Sequence, residues 1–162
     1  MANKLLLICL IFICSVSYAT DYKDYPGPYK MDMRGKFSSG KEYHLLISEM
    51  KSTNEDCKCS PFYEESDIDS DLPEYVIDKF ILEINGADLY VPKIYWFGLS
   101  EIKRVQIFEK NSKIMVSIES GDGAYSEIAE FYFVDLFFKE KIVRQAEFKD
   151  NILEHVILNP YK

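Results

Sequence analysis

The chain is poor in the residues that carry most enzymatic chemistry, with two histidines, four cysteines and seven glycines among its 162 residues. Histidine is the side chain whose ordinary pKa lets it pass protons near neutral pH. Neither His44 nor His155 stands in a G-x-S-x-G, H-E-x-x-H or cysteine-nucleophile setting, and both read as packed or surface residues. The sequence therefore leans away from an enzyme. Gly121-Asp122-Gly123 lacks the further glycines and the following lysine of a phosphate cradle, and reads as a turn. No cofactor is expected.

Basic residues are also in short supply, 19 Lys and Arg against 27 Asp and Glu, for a net charge of −8. Nucleic acid and anionic lipid both demand clustered Lys and Arg, so neither is expected as a partner. With 27 acids some carboxylate pair falls at a hydrolytic separation in any compact fold. A carboxylate-based hydrolase thus stays open as an alternative without being signalled.

Long apolar runs are missing apart from one at the start. Lys4 precedes Leu5 to Cys14, which holds no polar side chain, and Ser15-Val-Ser17-Tyr18-Ala19 follows. A charged n-region, an apolar h-region and a small-x-small site make a cleavable signal peptide, with the cut expected between Ala19 and Thr20. A membrane-spanning helix would need about 20 apolar residues, and this run ends at Thr20-Asp21-Tyr22-Lys23-Asp24. Ile13 before Cys14 and Leu7-Ile8 before Cys9 do not fit a lipidated cysteine. An exported protein, periplasmic or secreted and without a membrane anchor after cleavage, is the expectation. Removing residues 1–19 takes away one lysine and no acid, which moves the net charge to −9 and leaves 143 residues. That length suits one domain with a core of its own.

Residues 20–36 read as an extended N-terminal arm, with Pro26-Gly27-Pro28 within it, and residues 37–162 as a single β-rich domain. Tyr43, Leu45 and Ile47 alternate through residues 41–50. A long acidic loop is expected at 51–74, and Val76 to Ile84 leads into Asn85-Gly86, a pair suited to a type I′ hairpin. Pro92 and Gly98 bracket a helical turn around Tyr95-Trp96-Phe97. Val105 and Ile107, then Asn111-Ser112, then Ile114, Val116 and Ile118 repeat strand, turn and strand.

Residues 125–138 read as one central strand, with Phe131, Phe133 and Phe137 on one face and Ile128, Tyr132, Val134 and Leu136 on the other. Lys139-Glu140-Lys141 reads as the turn after it, and apolar segments at 142–148 and 152–158 follow. About eight short strands joined by hairpins predict a mainly β fold, an antiparallel sandwich or partly open barrel with one or two short helical turns. No period of 20 to 50 residues recurs, which excludes a repeat array.

One resemblance rests on the Asn85-Gly86 hairpin, the Pro92-led aromatic turn, and Ser120-Gly-Asp-Gly-Ala-Tyr-Ser126 before a strand whose partner ends Ile142-Val-Arg144. Over roughly residues 76–148 the chain resembles small exported β-rich bacterial proteins. The resemblance implies a β-rich fold and brings no activity with it.

Four features are candidate sites. Cys57-Lys58-Cys59 is the sharpest, because free thiols are uncommon in an oxidising compartment. A Cys57–Cys59 disulfide would close a ring worth only roughly 1.6 kcal/mol before strain. A redox role or a soft-metal site such as Cu(I) is the alternative. Asp67, Asp69, Asp71 and Asp78 fall at positions 1, 3, 5 and 12 of a calcium loop. Leu72 and Pro73 stand where that loop needs its glycine and next ligand, so a solvated acidic loop is the better reading.

Tyr95, Trp96 and Phe97 could form a binding platform, or seal one end of the core. Glu64 and Glu65, with the loop aspartates, would attract a basic surface. The combined expectation is a non-enzymatic binding or inhibitory module whose partner is another exported or envelope protein with a basic surface.

Overall fold

The computed structural model describes residues 17–22, by backbone alone, together with 28–53, 73–121 and 126–158. Ten strands form two antiparallel sheets. The four-stranded sheet runs β2 (Lys30–Lys36), β3 (Glu42–Lys51), β4 (Tyr75–Ile84), β5 (Ala87–Asp88). The six-stranded sheet runs β1 (Ser17–Tyr22), β6 (Arg104–Lys110), β7 (Lys113–Ser120), β8 (Glu127–Val134), β9 (Phe137–Gln145), β10 (Ile152–Ile157). The fold is the open sandwich rather than a barrel. Among the described residues no helix is long and apolar enough to cross a membrane.

Period-two alternation explains which face each strand buries. Leu45 and Ile47 of β3 and Leu82 and Ile84 of β4 meet Val105, Ile107, Val116, Ile118, Ala129, Phe131 and Phe133 in one core. Phe80 and Phe131 touch across the two sheets with ring centroids 5.1 Å apart. A 3-10 turn at Lys93–Tyr95 follows Pro92 and closes one end. Two buried carboxylates also join the sheets. Glu49 of β3 bonds the backbone of Tyr29 and Ile102, and Glu109 of β6 accepts from Lys41 Nζ at 2.8 Å. Burial pushes the Glu109 carboxyl up, but hydrogen bonds from Lys41 and Ser39 outweigh it and hold the group below its ordinary value.

Bulges set the phase of two strands. Strict alternation back from Ile84, Leu82 and Phe80 would aim Asp78 at the core. A register shift against β3 makes Asp78 the extra residue of β4, so Ile77 is buried in its place. In β9 Phe138 pairs Phe133 while Glu140 pairs Tyr132. Skipping Lys139 turns Lys141 and Val143 inward instead of Glu140 and Arg144, which leaves one buried charge where regular pairing would leave two.

Several expectations change here. Residues 30–36 are not the end of an arm but a full strand: Met31 alternates with charged neighbours and is buried. The single strand expected over 125–138 is two strands, and Lys139-Glu140-Lys141 lies inside β9. The turn is Asp135-Leu136, with φ of 50° and 66°. Phe137, expected beside Phe131 and Phe133, is instead 65% exposed just past that turn. Leucine seldom takes positive φ, so the pair carried no turn signal.

Asn85-Gly86 (52°, 77°) and Asn111-Ser112 (51°, 62°) form the two turns that composition did announce, both central residues having positive φ. Replacing Asp135-Leu136 by Asn-Gly should raise stability by about 0.5–1 kcal/mol, read from urea melts. Leu136 is 44% exposed, so little packing is lost.

Candidate functional site

The four-stranded sheet packs on the inner face of the six-stranded one, which leaves an outer face to account for. Register aligns its side chains in rows: Phe108 of β6 lies opposite Met115 of β7, Met115 opposite Tyr132 of β8, Tyr132 opposite Glu140 of β9, and Glu140 opposite Ile157 of β10. Phe108, Met115 and Tyr132 are half-buried. With Lys110, Asn111 and Lys113 they line a depression of about 300 Å³ whose walls are mainly apolar. A recess of about 150 Å³ continues from it toward Arg104, Glu119, Glu130 and Arg144. Concave apolar surfaces with a few charged groups at the rim are the usual form of a binding site.

The charges on this face are unevenly matched. Arg104 holds Glu119 at 2.6 Å, Arg144 holds Glu130 at 3.3 Å, and His155 Nε2 lies 2.6 Å from Glu140. Glu119 and Glu130 thus each have an arginine, and Glu140 has an imidazole beside it. Lys110 and Lys113, both exposed, have no ion-pair partner among the described residues. The Tyr132 hydroxyl donates to Glu130 at 2.9 Å. Burial first, then this bond to a carboxylate, pushes its pKa well above the ordinary tyrosine value.

Tyr43 is raised by burial too. Unfolded tyrosines ionise near pH 10, so above that pH the folded chain binds more protons than the unfolded one. Stability should therefore fall as pH rises past 10. Tyr132→Phe should flatten the slope in urea melts at pH 9, 10 and 11.

A second cluster occupies the outer face of the four-stranded sheet. His44 Nε2 lies 2.9 Å from Asp32 Oδ1 and 3.2 Å from Arg34 Nη2, and His44 Nδ1 lies 3.2 Å from Glu83 Oε2. Nε2 cannot donate to Asp32 and accept from Arg34 in one tautomer, so the ring makes one of these bonds at a time. The adjoining depression, about 550 Å³, is lined by Arg34, Lys36, Glu42, Glu83 and their neighbours, with no serine or cysteine among the described residues that line it. Asp32, Arg34 and Glu83 thus fix the position of the His44 ring through close polar contacts. Asp32, Arg34 and Glu83 gave no sequence signal, because only the register of three strands brings them to His44.

Most of the site residues expected from sequence are not among those the structure describes. Cys57, Cys59, Glu64, Glu65, Asp67, Asp69 and Asp71 lie outside the described residues. Asp78 is the bulge residue of β4, and among the described residues no three His, Cys, Asp or Glu side chains group to hold a metal. Trp96 is buried, stacks on Phe80 and donates Nε1–H to the Val91 carbonyl at 3.1 Å. Tyr95 packs on Phe138 and Lys93 lies over Phe97. Trp96 thus belongs to the core, with Tyr95 and Phe97 partly buried against it. Ala19 and Thr20 sit in β1, opposite Ile107 and Gln106 of β6. No protein family, curated protein or solved structure matches the chain.

Proposed function

We propose that this chain is an exported, non-enzymatic binding module that engages another exported or envelope protein through the outer face of its six-stranded sheet. The observation that carries this reading is the apolar depression of Phe108, Met115 and Tyr132 bordered by Lys110 and Lys113. A rigid sheet supplies the flat scaffold, the three apolar side chains supply contact area, and the two lysines select a partner that presents a carboxylate beside an apolar residue. Over longer range the net charge of −9 left after removal of residues 1–19 favours approach by a partner whose remaining surface is basic.

The test uses the mature protein as bait in envelope and medium fractions, followed by measured affinities for the partner recovered. Phe108→Ser with Met115→Ser should weaken binding about 30-fold or more while near-UV circular dichroism stays native. Lys110→Glu with Lys113→Glu should slow association, with the difference shrinking at high salt. Wild-type affinity in both pairs would move the site elsewhere.

A further inference from the structure

Strand β1 spans Ser17–Tyr22, and the expected signal-peptide cut falls in its middle, between Ala19 and Thr20. Before cleavage Ser17, Tyr18 and Ala19 pair with Glu109, Phe108 and Ile107 of β6. Cutting after Ala19 removes these three residues and leaves Thr20, Asp21 and Tyr22 against Gln106, Val105 and Arg104. The edge of β6 at 107–109 then loses its strand, and it does so beside the depression lined by Phe108, Met115 and Tyr132.

We infer that export cleavage uncovers the 107–109 edge of β6, and that an extended segment of the partner protein adds there as a replacement strand. This rests on reading residues 1–19 as a signal peptide and on the outer-face binding role. Strand addition supplies affinity through main-chain hydrogen bonds and specificity through alternate side chains.

The vacated strand defines what the incoming one should carry. It runs antiparallel to β6, with an aromatic or large apolar residue at the place of Tyr18, opposite Phe108. One residue beyond Ser17, opposite Lys110, a carboxylate would meet the two lysines that no described residue pairs. The precursor, still holding its own strand, would not accept the segment. Binding would thus be confined to the exported form.

The probe is the five-residue peptide Ser15-Val-Ser-Tyr-Ala19, acetylated and amidated, whose last three residues would refill the vacated positions. Added at millimolar concentration to the mature protein recovered after export, it should slow amide exchange over 107–109 at least tenfold. The Val16→Glu peptide should bind at least threefold tighter, and that gain should vanish in the Lys110→Met, Lys113→Met protein. The Tyr18→Ser peptide should lose most of the protection.

Unchanged exchange over 107–109 with every peptide would overturn the inference, as would an intact mass showing that the exported chain retains Ser17. A concentration-dependent dimer that the peptide dissociates would assign the edge to a second copy and overturn the partner assignment. If a partner still shields Met115 while exchange over 107–109 is unaffected, the binding face stands and the added strand falls.

Discussion

Replacing Glu49 by alanine is expected to lower the unfolding free energy by about 3–5 kcal/mol, among the largest effects any single surface-accessible or buried polar group should show. Glu49 is 7% exposed. Its Oε2 accepts from the Tyr29 amide and its Oε1 from the Ile102 amide, each at 2.6 Å, and its own amide donates to the Tyr29 carbonyl at 2.8 Å. Tyr29 leads into β2 of one sheet and Ile102 into β6 of the other. One carboxylate therefore holds both sheets at the same end.

Bonds to a charged acceptor contribute about 1.5–3 kcal/mol each, and alanine would also leave two buried amides without an acceptor. Glutamine offers one carbonyl oxygen, so Glu49→Gln should cost about 1.5–3 kcal/mol, near half as much. Urea denaturation of both variants checks the ratio. A loss below 1 kcal/mol in the alanine variant would show that water replaces the carboxylate.

Lys141 should behave differently, because the direction of the effect depends on what replaces its partner. It is fully buried on the inner face of β9, with Nζ 2.6 Å from Glu154 Oε2 of β10. Burial lowers the lysine pKa against the opposing pull of Glu154 and Glu127, and burial raises that of Glu127. Both shifts say that the charged forms are costly where they sit.

Lys141→Ala should therefore destabilise by about 3–5 kcal/mol, since it leaves Glu154 and Glu127 facing each other without a cation. Lys141→Met with Glu154→Leu removes the pair together and should fall within about 1 kcal/mol of wild type, or above it. Thermal melts of the single and double variants separate the two cases. Equal destabilisation in both would mean that the pair itself, rather than its balance, holds β10 in place. Inward-pointing charge and the bulge between Ile152 and Glu154 are also devices that keep an edge strand from pairing with other chains.

Local chemistry was legible wherever a residue type has one dominant use. Asn85-Gly86 and Asn111-Ser112 announced their turns, Pro92 and Gly98 bracketed the 3-10 turn, and alternation at Tyr43, Leu45 and Ile47 matched the strand that carries them. Strand spacing gave an antiparallel β fold but left sandwich and partly open barrel both open, and the two separate sheets decide for the sandwich. What stayed hidden depended on register or on residues acting against type. Asp135-Leu136 turns with a leucine at positive φ, and β2 shows its alternation over too few residues beside an arm rich in proline and glycine. Bulges at Asp78 and Lys139 reversed the faces that strict alternation assigns. The outer-face site was not legible at all, because Phe108, Met115 and Tyr132 sit on three strands and meet only through pairing.

Hydroxyl-radical footprinting of the mature protein, with and without its recovered partner, reads side chain by side chain whether that outer face meets a partner. Methionine, phenylalanine and tyrosine are among the side chains that hydroxyl radical oxidises readily, and the depression holds one of each. Binding should cut oxidation of Met115, Phe108 and Tyr132 severalfold while Tyr90, 76% exposed away from this face, keeps its free rate. Unchanged oxidation of Met115, Phe108 and Tyr132 in a complex that shields Tyr90 or Phe148 instead would contradict the outer-face assignment.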